Sequence, residues 1–202
     1  MDVAYTLEND LEVNTPIGLK YNPPIDEVTA ARVSFGSASA DELSSIPDNQ
    51  EVIIPAFYPE NRLPQLMGGV LEFLFFSKNI RENLDRLEPG VHKFKTVRLL
   101  SEKPIENNTN HGVWYLLLPP ASIDCIDEKN TEIIKGLPIE KRMLPSDKES
   151  KLQLIGSKIR NRHLWRTYLN HKKSFYTCSE EFMNVIENEH SSLRKSRTCE
   201  IV

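Results

Sequence analysis

The chain is poor in the features that announce chemistry. Its three cysteines, Cys125, Cys178 and Cys199, stand far apart among 202 residues. An odd count at wide spacing fits neither a disulfide framework nor a zinc site, so reduced thiols packed as small apolar groups are expected. No apolar run approaches the roughly 20 residues that a membrane span needs. The longest, around Phe73–Phe76, has the length of a strand. The opening Met-Asp-Val-Ala-Tyr-Thr-Leu-Glu-Asn-Asp is acidic where a secretory signal is basic, and no apolar stretch follows it; a cytoplasmic location is expected. A glycine-rich phosphate loop, a G-x-S-x-G elbow and an H-E-x-x-H pair are all missing. The histidines at 92, 111, 163, 171 and 190 are scattered, with none at metal-ligand distance from another in sequence. The expectation is a protein without catalytic residues, metal or cofactor.

What is present is an internal echo. Residues 71–99 read Leu-Glu-Phe-Leu-Phe-Phe-Ser, a helical stretch, then Val-His-Lys-Phe-Lys-Thr-Val-Arg-Leu. Residues 174–202 read Ser-Phe-Tyr-Thr-Cys-Ser, a second helical stretch, then a basic alternating tail ending Cys-Glu-Ile-Val. Each half predicts strand, capped helix, strand. With Ser77 placed on Ser179, Ile80 falls on Phe182 and Leu84 on Ile186, so the apolar positions keep step at helical spacing. Ser77 is a good helix N-cap, Ile80, Leu84 and Leu87 share one helix face, and Glu88-Pro89-Gly90 stops the helix. Glu180 and Glu181 stand in the first turn of the second helix, where its dipole favours negative charge. Neither copy carries a reactive constellation, so the echo reads as scaffold and the protein as one that binds.

Further strands are expected at Glu51–Ile54, from His92 onward, at Val113–Leu118 and at His163–Leu169, with Ile123–Ile126 as a short one. The first 65 residues differ from the rest. Pro16, Pro23, Pro24, Pro47, Pro55, Pro59 and Pro64 punctuate them, which disfavours long helices and central strands. Thr29–Phe35 could be a helical turn or an edge strand, and a short helix is expected at Asp41-Glu42-Leu43. The predicted organisation is a loop-rich portion over residues 1–65, packed on a main domain over residues 66–202. The predicted class is α+β, with a mixed, mainly antiparallel sheet and the two echoing strand–helix–strand units. The strand ending at Val202 is expected at a sheet edge, where it would allow a homodimer.

Charge is graded along the chain. Residues 1–60 hold eleven acidic side chains against Lys20 and Arg32, whereas residues 151–202 hold ten basic against five acidic. Such asymmetry steers encounter with a charged partner or simply solvates two poles. Two constellations invite chemistry. Asp124, Cys125 and Asp127, with His163, could build a dispersed enzyme site. Arg160, Arg162, His163 and Arg166, interleaved with Trp165 and Tyr168, could form a basic aromatic face for nucleic acid. On a strand, however, Arg162, Leu164 and Arg166 share one side and His163, Trp165 and Thr167 the other, which splits the set and favours Trp165 in a core. With a net charge of −4, nucleic acid is not the expected partner.

Several segments together resemble a known family. They are Leu-Phe-Phe-Ser-Lys-Asn-Ile-Arg-Glu-Asn-Leu, Pro-Gly-Val-His-Lys-Phe, Val-Trp-Tyr-Leu-Leu-Leu with Ile-Asp-Cys-Ile-Asp following, Arg-His-Leu-Trp-Arg, and Ser-Phe-Tyr-Thr-Cys-Ser-Glu-Glu-Phe. Their order over residues 66–202 is similar to that in the immunity protein eleven family of bacterial polymorphic toxin systems. The resemblance implies a cytoplasmic protein that binds a cognate secreted toxin by direct contact and protects the producing cell, with no catalytic residues to carry over. The alternatives are a nucleic-acid or regulatory binding module and a cryptic enzyme. Asp41, Glu42, Asp48 and Glu51 are the expected partner-contact residues, because many secreted toxins that attack nucleic acids present a basic cleft that carboxylates can fill.

Overall fold

The computed structural model describes residues 3–9, 20–26, 40–54, 63–68, 74–105, 107–132, 151–170, 173–189 and 191–202. In chain order the elements are β1 (Val3–Asn9), β2 (Lys20–Asn22), α1 (Ala40–Ser45), β3 (Gln50–Ile54), β4 (Leu66–Gly68), β5 (Leu74–Phe76) and α2 (Lys78–Leu87). They continue with β6 (Phe94–Ile105), β7 (Asn108–Leu117), β8 (Gln153–Leu154), β9 (Leu164–Asn170), β10 (Lys173–Ser179), α3 (Glu180–Asn188) and β11 (Leu193–Ile201). The class is α+β with mixed, mostly antiparallel pairing, as the sequence predicts. The strands divide over two sheets, one echo unit in each, and the chain forms two compact units. One unit comprises Asn9–Pro119 with Val185–Arg194; the other comprises Met1–Glu8, Pro120–Asn184 and Lys195–Val202.

The first unit holds a six-stranded sheet in the order β2-β3-β6-β7-β5-β4. Every neighbouring pair is antiparallel except β3 with β6, which is parallel. On β3 the alternation of a strand puts Gln50, Val52 and Ile54 inward and half-exposes Glu51 and Ile53. Val52 and Ile54 join Ile46, Met67, Phe75, Val97, Leu99, Trp114 and Leu116 in one apolar core. The Ser77 hydroxyl accepts from the Ile80 amide at 3.4 Å, capping α2, and Ile80 and Leu84 are fully buried while Leu87 is only half-buried. The helix ends where the Glu88 amide donates to the Leu84 carbonyl, and Gly90, at φ +70°, turns the chain away. The Glu88 carboxylate then pairs with the His92 ring, both side chains buried.

The second unit holds a five-stranded sheet in the order β8-β11-β1-β10-β9. β10 is antiparallel to both β1 and β9, and β11 is parallel to β8. Its core gathers Ala4, Cys125, Ile126, Leu152, Leu154, Ile159, Trp165, Leu169 and Cys199. α3, of which Glu180–Asn184 belongs to this unit and Val185–Asn188 to the other, carries the same cap as α2: the Ser179 hydroxyl accepts from the Phe182 amide at 3.3 Å, and Phe182 and Ile186 are buried. The echo is therefore physical, with both serines capping and both apolar pairs inside.

Three expectations need correction. β11 lies inside its sheet, between β8 and β1, because the first strand of the chain adds to its far side; the homodimer edge expected there is taken. Ile123 and Ile126 make isolated bridges because they reach different strands, Ile123 to Thr167 on β9 and Ile126 to Leu154 on β8, which are the two edge strands of the sheet, so no single ladder forms. The strand expected from His163 begins at Leu164, since His163 is drawn to the helix cap beyond it. Thr29–Phe35 and the polar stretch Glu140–Ser150 lie outside the described residues.

Candidate interaction surface

The four carboxylates expected at a partner contact all belong to the six-stranded unit, yet the sheet separates them. Asp41 and Glu42 occupy the first turn of α1, where a helix N-terminus favours negative charge. That helix is closed locally by serine: Ser44 Oγ donates to the Asp41 carbonyl at 2.8 Å and Ser45 Oγ to the Glu42 carbonyl at 2.7 Å. Asp48 follows in a turn, largely exposed, and its Oδ1 stands 3.3 Å from Lys95 Nζ. The same ammonium donates to the Ser44 carbonyl at 3.2 Å, so Lys95 ties the end of α1 to the Asp48 turn. Lys95 has the parity of the core-facing Val97 and Leu99 on β6, which places this group of acids on the side of the sheet that α1 covers.

Glu51 points the other way. It lies in register with Asn22 on one neighbouring strand and Arg98 on the other. Asn22 Nδ2 donates to Glu51 Oε2 at 2.6 Å, and Arg98 Nη1 donates to Oε1 at 3.4 Å. One register step along, Ile53 lies between Lys20 and Leu100. The outer face of β2, β3 and β6 thus carries two cross-strand rows, Asn22–Glu51–Arg98 and Lys20–Ile53–Leu100. Lys20 reaches over to pair with Glu102, the next outward residue of β6 beyond Leu100. A shallow depression of about 400 Å³ opens here, lined by Lys20, Ile53, Leu100, Ser101, Glu102 and Thr109. Two half-buried aliphatic side chains ringed by paired charges make a small apolar centre with a polar rim, the general anatomy of a protein contact. The pairings also mean that Glu51 presents an organised, charge-compensated row rather than bare negative charge.

Glu51 was accessible to sequence reasoning; Asn22, Arg98, Ile53 and Leu100 were not. Their grouping depends on a parallel pairing between β3 and β6 across two intervening strands and a helix, and no local pattern encodes that. The only local hint was the alternation within β3 itself.

The constellations that invited enzyme chemistry come apart in the five-stranded unit. The Cys125 thiol is buried, meets Thr167 Oγ1 at 3.7 Å, and is pushed up from its ordinary pKa by that burial. Asp127 instead closes its own turn: Asn130 Nδ2 donates to Oδ2 at 2.7 Å and the Lys129 amide to Oδ1 at 3.0 Å, holding its carboxyl below the usual range. Lys158 reaches the Asp124 backbone carbonyl at 2.6 Å. His163 Nδ1 lies 2.7 Å from the Ser179 hydroxyl and 3.7 Å from Glu181 Oε2. Both partners share one ring nitrogen, whereas a relay needs base and orienter on opposite nitrogens, so this is a decorated helix cap. Glu181 is held below the usual carboxylate range mainly by its own backbone amide and then by Ser179. The basic aromatic face is split as strand parity requires: Trp165 is buried with its Nε1 donating to Thr167 at 3.0 Å, Arg166 bonds Ser174, and Arg160 and Arg162 are exposed. Among the described residues no group of three or more His, Cys, Asp or Glu is placed to hold a metal ion, and no helix is long and apolar enough to cross a membrane.

A search of the curated proteins returns no match. The family comparison does: the sequence matches the immunity protein family Imm11 over residues 5–198, from within β1 to within β11. The match spans both units and all the strands that build the two sheets, and on that ground the chain belongs to the Imm11 immunity protein family.

Proposed function

We propose that this protein neutralises a cognate bacterial toxin by binding it directly, and so protects the cell that makes both. The observation that carries the reading is the family match over nearly the whole chain. The architecture is compatible with it: two serine-capped, well-packed scaffolds offer rigid faces, and inhibition by occlusion requires no reactive group. The proposed contact centres on the outer face of β2, β3 and β6, with Ile53 and Leu100 as apolar anchors and Glu51, Arg98, Lys20 and Glu102 as the charged rim that fixes register. Asp41, Glu42 and Asp48 form a second acidic group at the α1 side, which would steer encounter with a basic toxin. Cytoplasmic residence follows from the reading, since an immunity protein must meet its toxin inside the cell. The toxin is expected from the neighbouring gene. Expressing that gene product alone and together with this chain tests the reading by growth and by co-purification. Relief of toxicity with a stoichiometric complex supports it; a harmless neighbour that forms no complex overturns it.

A further inference from the structure

The two sheets share more than the echo. Read from the side away from the strand that enters the helix, the first sheet has the order β3-β6-β7-β5-β4 after its edge strand β2, and the second has β8-β11-β1-β10-β9. Set side by side, β3 matches β8, β6 matches β11, β5 matches β10 and β4 matches β9. The pairing senses agree as well. β3–β6 and β8–β11 are parallel, while β4–β5 and β9–β10 are antiparallel. Hydrogen bonds fall in matching places: the Ser77 amide donates to the carbonyl of Gln65, just before β4, and the Ser179 amide donates to that of His163, just before β9.

One strand breaks the sequence order. The slot beside the strand that enters the helix is filled in the first unit by β7, which follows β6 through a tight hairpin, and in the second by β1, which comes from the opposite end of the sequence. The registers show that the slot is the same. Phe76, one residue before the capping serine, pairs with Tyr115 on β7; Cys178, one residue before its serine, pairs with Tyr5 on β1. Each of these tyrosines carries a cation over its ring, Arg81 at 4.4 Å from Tyr115 and Lys195 at 4.6 Å from Tyr5. β1 is hydrogen-bonded to both β10 and β11, as β7 is to both β5 and β6, and Ser196 Oγ donates to Glu8 Oε2 at 2.8 Å across the β1–β11 boundary.

We infer that the two sheets, each with the helix that follows its β5 or β10 strand, are copies of one strand–helix module related by circular permutation, and that the gap between β10 and β11 is a strand-binding slot for an extended peptide, filled in this chain by its own residues 3–9. The slot recognises its occupant by ladder hydrogen bonds from both sides and by small inward side chains, Ala4 and Thr6, both buried. Ala4 lies opposite Ser179 and Thr6 opposite Thr177, so larger or charged residues at those two positions would not fit inside the sheet's covered face.

Two full-length versions of the chain test this. In one, a protease site between residues 10 and 19 is cut after folding. The released peptide should stay bound through gel filtration, and an excess of labelled peptide of residues 1–12 should exchange into the slot. A Thr6→Pro peptide should compete at least roughly tenfold more weakly, because proline removes a ladder donor. In the other, residues 1–9 are moved to follow Val202 through an Asn-Gly turn, recreating the β6–β7 arrangement. This permutant should fold with an unchanged near-ultraviolet spectrum. Dissociation of the cut peptide with the remainder still native would overturn the slot, as would unfolding on cutting. A cut chain that stays native beside a permutant that does not fold would overturn the permutation, since opening the chain at that segment is then harmless.

Discussion

The two modules keep one plan with different interiors. Where the first sets Phe75 against Leu116, the second sets Thr177 against Thr6, and where the first has Phe76, the second has Cys178. The first core gathers aliphatic and aromatic side chains with Met67, and the buried polar residue of β3, Gln50, turns its amide to the Pro23 carbonyl. The second runs a hydroxyl chain through its centre, with Thr167 and Thr177 at 2.8 Å and both Trp165 and the Cys125 thiol resting on Thr167. Thr167 and Thr177 are each completely buried. Buried hydroxyls cost little when each finds a partner, so a polar filling and an apolar one can support the same sheet. What stays constant is the helix: a serine cap and two apolar residues at i+3 and i+7 from it. The modules are held alike at the helix and differently at the sheet centre.

The largest effect should come from emptying the shared helix positions. Leu84→Ala and Ile186→Ala each remove a fully buried aliphatic side chain and should each cost about 2–5 kcal/mol, read from urea unfolding. A cost confined to one of the two would break the equivalence of the helices. Breaking the hydroxyl chain should separate the modules next. Thr167→Val leaves Thr177 and the Trp165 N–H without that partner and should destabilise by about 1–3 kcal/mol, detected as faster amide exchange in β9 and β10 with β6 and β7 unchanged. Ser77→Ala and Ser179→Ala should each cost about 1 kcal/mol, and similar values for the pair would sharpen the comparison.

A smaller contrast lies in pH. Burial pushes the Cys199 thiol up to about 12 and raises Cys125 as well; both thiols belong to the five-stranded unit. A folded pKa raised above the unfolded one gives stability that is complete below the unfolded value, near 9, and is lost as pH climbs toward about 12. Alkaline unfolding should therefore begin in the five-stranded unit, followed by circular dichroism at aromatic wavelengths, and Cys199→Ala should flatten that limb. The slightest effect on stability should come from Glu51→Lys. A part-exposed ion pair with Arg98 contributes only about 0–1 kcal/mol, so the fold should survive while any partner contact on that face does not.

The helices were legible in the sequence because their signals are local. Ser77, Ile80, Leu84 and the Glu88-Pro89-Gly90 stop lie within fourteen consecutive residues, and Ser179, Phe182 and Ile186 repeat the pattern. The strand segments were legible for the same reason, by alternation at Glu51–Ile54 and by apolar runs at Val113–Leu118. Their partners were not. Nothing near Val3–Asn9 says that it enters a sheet beside Cys178, and that entry is what moves β11 from an edge to the interior. The outer face of β2, β3 and β6 was hidden in the same way: Glu51 could be picked out by charge, but its row with Asn22 and Arg98 exists only through pairing across distant strands. The dispersed set of Asp124, Cys125, Asp127 and His163 failed in the opposite direction, because nearness in sequence for the first three hid that the thiol faces the core while Asp127 closes a surface turn.

The central claim, that this chain meets its toxin through the outer face of β2, β3 and β6, is tested most directly by amide hydrogen exchange on the chain alone and in complex with the neighbouring gene product. The account predicts slowed exchange concentrated in residues 20–22, 50–54 and 98–102. Slowed exchange confined to the five-stranded unit, with that face unchanged, would contradict it.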